Sequence, residues 1–187
     1  MLSANLYELP EGILVPADDG ACDHLPGARF PSLALPSTSG GTVDLSGLPG
    51  RIVVYCYPMM GRPDQDLPPG WDGIPGARGC TPQSCAFRDH HEELRALGAR
   101  VFGLSTQSTE YQREAAERLH LPFELLSDER LALTRAVGLP TFEVEGIVLI
   151  KRLTLVIHDE RVEKVFYPVF PPGENAVEVA GWLHSTV

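Results

Sequence analysis

From Ile52 the chain runs IVVYCYP, apolar or aromatic at every position until Pro58 closes it. Such a run, without polar alternation, predicts a buried central strand. Upstream, PSLALPSTSGGTVDLSGLPG alternates short apolar stretches with turn residues, which predicts a small hairpin against the body of the fold. Downstream, TPQSCAFRDHHEELRALG carries Phe87, Leu94 and Leu97 on one recurring face, with Pro82 in its first turn and Gly98 as a stop. It predicts a helix from Thr81, with Cys80 at its amino terminus.

The period then switches repeatedly. RVFGLST reads as a strand, TEYQREAAERLH as a helix, FELLSD as a strand, and ERLALTRAVG as a helix closed by Gly138 and Pro140. This alternation predicts an α/β fold with a parallel sheet. IVLIKRLTLVIHD and RVEKVFYPVF follow as a hairpin about Asp159 and Glu160, and a last helix runs through NAVEVAGWLHS. The stretch from Met59 to Gly79 breaks the pattern: it has no period and is dense in Pro and Gly. Loops of that length are uncommon inside a domain and often functional. With no internal repeat, low-complexity tract or linker, residues 1–187 read as a single domain with a long loop insertion at about 59–79.

Composition adds limits. The formal charge is −10, and the 15 basic residues are scattered. A polyanion needs clustered Lys and Arg, so nucleic acid and anionic membrane are not expected partners. No segment approaches the ~20 apolar residues of a membrane span, and the amino terminus has no signal-peptide pattern, so the expected location is cytoplasmic. Four cysteines, Cys22, Cys56, Cys80 and Cys85, are too few for a disulfide scaffold.

Cys80 and Cys85 are the candidate chemistry. A thiol attacks only as thiolate, and the free N–H groups and positive end of a helix dipole favour an anion at Cys80. Gly76 and Gly79 let an oxygen-bearing substrate approach the backbone closely. Cys85 follows at i+5, about 140° round an ideal helix and ~7.5 Å along it. A disulfide needs Cα atoms within about 7 Å, so the two thiols join only if the first turn or two unwinds. The chemistry that fits is oxidation of Cys80 to a sulfenic acid by a peroxide, attack by Cys85, and reduction of the disulfide by an external dithiol.

These residues resemble a known family. GCTPQSCAFRD, with a preceding strand ending in YP and followed by GLST and LLSD, is similar to thiol peroxidases of the peroxiredoxin family, nearest the bacterioferritin-comigratory-protein (peroxiredoxin Q) subgroup. The resemblance runs from Phe30 to about Phe170. It implies a thioredoxin-like fold, a central mixed β-sheet flanked by helices, with Cys80 peroxidatic and Cys85 resolving. KRLTLVI resembles the family's arginine-bearing strand, which makes Arg152 the residue that holds the thiolate and polarises the peroxide. The family pattern also has Pro seven and Thr or Ser three residues before the peroxidatic cysteine, where this chain has Gly73 and Ala77. Pro58 is then the displaced family proline, and Thr81, a loop backbone group or another side chain stands in for the missing hydroxyl.

The expected function is a thiol-dependent peroxidase acting on hydrogen peroxide or an organic hydroperoxide, served by a thioredoxin- or glutaredoxin-type reductant. No metal, haem or flavin is implied, and the chain is expected as monomer or homodimer. The alternative is a non-catalytic redox sensor or binding protein using the same disulfide; repeated turnover separates the two. Trp71 and Ile74 either anchor the long loop or wall the peroxide pocket. Cys56 reads as a buried free thiol and Cys22 as incidental or an extra redox partner. His90 and His91 diverge by about 100° on a helix, which suits packing or solvent rather than a shared metal.

Overall fold

The computed structural model describes residues 5–186. Within them the strands are, in chain order, β1 (Ala34–Pro36), β2 (Thr42–Asp44), β3 (Arg51–Cys56), β4 (Ala99–Ser105), β5 (Glu124–Ser127), β6 (Thr141–Val144), β7 (Ile147–Ile150), β8 (Leu153–His158) and β9 (Arg161–Phe166). The helices are α1 (Cys80–Asp89), α2 (His91–Ala96), α3 (Thr109–Arg118), α4 (Ala132–Val137) and α5 (Asn175–Ser185). The central sheet has the order β5-β4-β3-β8-β9. Its β3, β4 and β5 pair in parallel, while β8 is antiparallel to β3 and β9 to β8. The sheet is therefore mixed, with β3 in the middle.

Successive side chains of a strand point to opposite faces, so a strand covered on both sides must be apolar throughout. Val53, Tyr55 and Tyr57 face one core with Phe87, Leu94, Ala115, Leu119 and Val179, contributed by α1, α2, α3 and α5. Ile52, Val54 and Cys56 face another with Leu25, Phe30, Leu35, Leu45 and Leu133. The second face is covered by the amino-terminal leader, the β1–β2 hairpin and α4. The unbroken run IVVYCY is the signature of that double burial.

Three details depart from the sequence reading. The stretch IVLIKRLTLVIHD is two strands: β7 pairs with β6 in a separate hairpin, and β8 joins the sheet. Glu145 and Gly146 make this possible by adopting φ of 50° and 79°, the left-handed pair of a type I′ turn. The expected helix over 81–98 divides at His90, whose φ and ψ of −98° and 7° end α1 and start α2. Glu92 and Glu93 lie in the first turn of α2, where a helix favours carboxylates. The helix also begins one residue early, with Cys80 itself helical.

The long loop is anchored. Apart from a 3-10 turn at Trp71–Gly73 it has no regular structure. Trp71 and Ala77 nevertheless pack with Val144 and Leu149 of the β6–β7 hairpin in a third apolar cluster, joined by Met59, Leu67, Ile74 and Phe142.

Candidate active site

The register of the sheet brings two distant segments together. Cys56, the last residue of β3, is paired with Leu153, the first of β8, so Arg152 stands where the chain leaves β3 for the long loop. That loop ends at α1, and β3 fixes the helix from below. Tyr55 stacks on Phe87 with ring centroids 4.6 Å apart, and its hydroxyl is 3.0 Å from Ser84 Oγ. A stacked pair of this kind is worth about 0.5–1.5 kcal/mol beyond its buried area. The carboxyl end of β3 thus aims the amino terminus of α1 at Arg152.

Cys80 is the first residue of α1, capped by Gly79 at φ 103°, and is only 4% exposed. Arg152 Nη2 lies 3.2 Å from Cys80 Sγ. The guanidinium, itself 3% exposed, also donates to the carbonyls of Gly76 at 3.3 Å and of Ala77 and Arg78 at 3.1 Å each. Its Nη1 donates to Gln83 Oε1 at 2.5 Å. The end of the loop is wrapped around one cation, which a buried charge requires. Behind it, Gln83 Nε2 donates to Asn175 Oδ1 at 3.0 Å, and Thr154 Oγ1 donates to the same oxygen at 2.6 Å.

A cavity of about 10 Å³ covers Cys80, lined by Leu6, Met59, Gly61, Leu67, Trp71, Ala77, Arg78, Gly79 and Thr81. Of the sequence candidates, Gly79, Thr81 and Trp71 therefore share a wall with Cys80. Pro58 is not among the lining residues; it ends the strand, and its carbonyl accepts the Ser105 hydroxyl at 3.1 Å. Ile74 lines a different recess of about 310 Å³ with Pro16, Phe142, Arg152, Tyr167 and Val169. Thr81 Oγ1 donates to Met60 Sδ at 3.5 Å, and Gln107 holds the Met60 backbone from both sides.

The other thiols sit in different surroundings. Cys85 is half-buried, and burial pushes its thiol above the ordinary range. Cys22 is pushed up to about 12, by burial first and then by the carboxylates of Asp19 and Asp18. Burial also pushes up the thiol of Cys56 inside β3. All four cysteines are free. His90 contacts Glu93 at 3.0 Å and His91 packs on Phe123, and no group of His, Cys, Asp and Glu among the described residues is arranged to hold a metal ion.

Sequence reasoning missed Gln83, Asn175 and Arg78. Gln83 had a usable signal: it follows Cys80 by three, the spacing that places two side chains on one helix face. Asn175 and Arg78 had none, because their positions depend on how the last helix and the long loop fold back.

The sheet holds a buried thiol at a helix amino terminus against a guanidinium, surroundings that suit thiolate chemistry. Known proteins agree: residues 25–180 match the Redoxin family. Peroxiredoxin Q, chloroplastic, of Populus jackii is 34% identical over 161 residues, covering 85% of this chain and 68% of that protein. The putative peroxiredoxin bcp of Coxiella burnetii is 27% identical over 84% of this chain and 97% of its own. The crystal structure of peroxidoxin BcpB from Mycobacterium tuberculosis superposes with a TM-score of 0.71 at 26% identity, covering 88% of this chain and 99% of that one. The chain belongs to the Redoxin family and, within it, to the peroxiredoxin Q and bacterioferritin-comigratory-protein subgroup. It is a peroxiredoxin, an oxidoreductase that uses a thiol to reduce peroxide.

Proposed function

We propose that Cys80 is the attacking thiol, Cys85 the resolving thiol and Arg152 the group that orients the first against the peroxide. The observation that carries this is the 3.2 Å contact between Arg152 Nη2 and Cys80 Sγ at the first residue of α1. Cys22 and Cys56 have no guanidinium in contact with the sulfur, and burial raises both thiols. The Cys80 thiolate attacks the near oxygen of a hydroperoxide; an S–O bond forms, the O–O bond breaks, and the far oxygen leaves as hydroxide or alkoxide and takes up a proton. Cys85 then attacks the sulfenic sulfur, forming the disulfide and releasing water. A thioredoxin- or glutaredoxin-type dithiol returns two electrons.

The second step needs α1 to open. Five residues of ideal helix separate the two Cα atoms by more than the roughly 7 Å a disulfide allows. Opening also exposes Cys85, removing the burial that disfavours its thiolate. The small cavity over Cys80 suits a hydroperoxyl head entering end on. No helix among the described residues is long and apolar enough to cross a membrane, in keeping with a reaction run in water.

The test is peroxide consumption by the protein with thioredoxin, thioredoxin reductase and a nicotinamide donor, beside Cys80→Ser. Repeated turnover that vanishes in the variant is the expected result; retained turnover would overturn the assignment of Cys80. A single two-electron oxidation without turnover would point to a sensor instead.

A further inference from the structure

Accepting Cys80 as the attacking thiol, the geometry points to Arg78 as a second catalytic guanidinium, one that donates to the departing oxygen of the peroxide. Arg78 lines the cavity over Cys80 and is 7% exposed. Its Nη2 donates to the Asn5 carbonyl at 3.1 Å. Nε and Nη1 are buried without a hydrogen-bond partner, although Nε lies 3.3 Å from Asp72 Oδ1. Among the described residues lining the cavity, no other side chain has a buried nitrogen or oxygen atom so left.

A buried charged donor without an acceptor is costly, and it is tolerated where a ligand supplies the acceptor. The other polar side chains near the thiol are committed elsewhere. Thr81 Oγ1 donates to Met60 Sδ. Arg152 Nη2 is shared among two carbonyls and the thiol, Nε is on Gly76, and Nη1 is on Gln83. Ala77 offers the cavity only a methyl group.

The two arginines therefore act on different atoms. Arg152 holds the sulfur. As the S–O bond forms and the O–O bond breaks, sulfur loses two electrons and negative charge collects on the far oxygen, before a proton from water neutralises it. Arg78 Nη1 meets that charge with a donor already in place and already dry.

The test compares two reactions of the same thiol in the Cys85→Ser chain, so that the signal follows Cys80. Oxidation by hydrogen peroxide sends charge to a leaving oxygen, whereas alkylation by iodoacetamide expels iodide and has no use for the donor. Arg78→Ala is expected to slow oxidation by about 10²-fold, the usual loss for one such donor, without slowing alkylation. Arg78→Lys, which keeps a charge but not the forked geometry, should fall between. Asp72→Ala removes the contact at Nε while leaving the guanidinium, and should change oxidation less than three-fold. Equal losses in both reactions, unchanged oxidation, or an Asp72→Ala defect as large as that of Arg78→Ala would each overturn the proposal. Peroxide turnover surviving in Cys80→Ser would instead sink the assignment of the attacking thiol, whatever Arg78 does.

Discussion

Replacing Gly79 by Ala should loosen the start of α1 selectively. Gly79 sits at φ 103°, and an added Cβ would fall 2.5 Å from Pro172 Cγ and 3.1 Å from Leu9 Cδ2. Left-handed backbone costs a non-glycine residue about 1–2 kcal/mol. Overpacking against a proline ring adds about 1–3 kcal/mol, because the ring is rigid and cannot rotate away. A combined cost near 3 kcal/mol would lower the melting temperature of a chain this size by about 6–12 °C. Confined to the first turn of α1, the same cost would raise the population of the opened turn by about 10²-fold. The assay is amide hydrogen exchange at residues 80–84 beside single-turnover oxidation by hydrogen peroxide. Exchange should accelerate, and oxidation should slow as Cys80 leaves Arg152, while disulfide formation from the sulfenic acid should not slow. A variant with unchanged exchange, a melting temperature within about 1 °C of the parent and an unaltered oxidation rate would refute the claim that this glycine clamps the helix start.

Other outcomes follow from the same geometry. Gln83→Leu leaves Arg152 Nη1 without its acceptor and should cut the oxidation rate of Cys80 by about ten-fold, read by single-turnover kinetics, as positioning errors commonly do. Cys85→Ser should leave the first oxidation intact and allow Cys80 to be trapped as sulfenic acid by a dimedone-type reagent, seen by mass. Because burial raises Cys85, the closed helix retains a proton that the opened one releases, so stability of the closed form is full below the free-thiol range and falls as pH rises above it. Disulfide formation should therefore speed up from pH 7 to 9, and a flat profile would contradict the burial argument. Asp128→Ala removes a buried carboxylate that accepts from Leu133 N, Thr134 N and Thr134 Oγ1, and should cost about 2–4 kcal/mol in thermal unfolding with the oxidation rate of Cys80 preserved.

Period and punctuation revealed the framework. The apolar run of β3, the alternation through α4 and the stop at Gly98 each follow local rules, and each element formed close to where the pattern placed it. The errors fell where a local rule has two outcomes. Nothing local distinguishes one long strand over 147–158 from two strands separated by Lys151 and Arg152, because the second hairpin depends on Glu145 adopting a left-handed conformation that glycine would adopt more readily. The candidates Cys80 and Cys85 were open to reading from the sequence because thiol spacing on a helix has a direct chemical meaning. Arg152 was legible only by resemblance, since its contact with Cys80 spans 72 positions and depends on sheet register. Arg78, two residues from the thiol, was invisible for the opposite reason: the groups its side chain touches, the Asn5 carbonyl and Asp72, lie on segments without a period.

The match to the Redoxin family starts at residue 25, yet the cover over the thiol includes Leu6 and Leu9. Leu6 closes the small cavity, Leu9 leans on Gly79, Pro16 leans on Gly76, and Asp19 ties down the strap through Lys151 and Tyr167. A boundary drawn at the edge of the shared domain would keep every cysteine but Cys22 and the arginine cage while removing the ceiling. For cloning, a chain trimmed to that boundary would lose Leu6 and Leu9 from over Cys80 together with the Asp19 tie, leaving the thiol less covered than in the full chain.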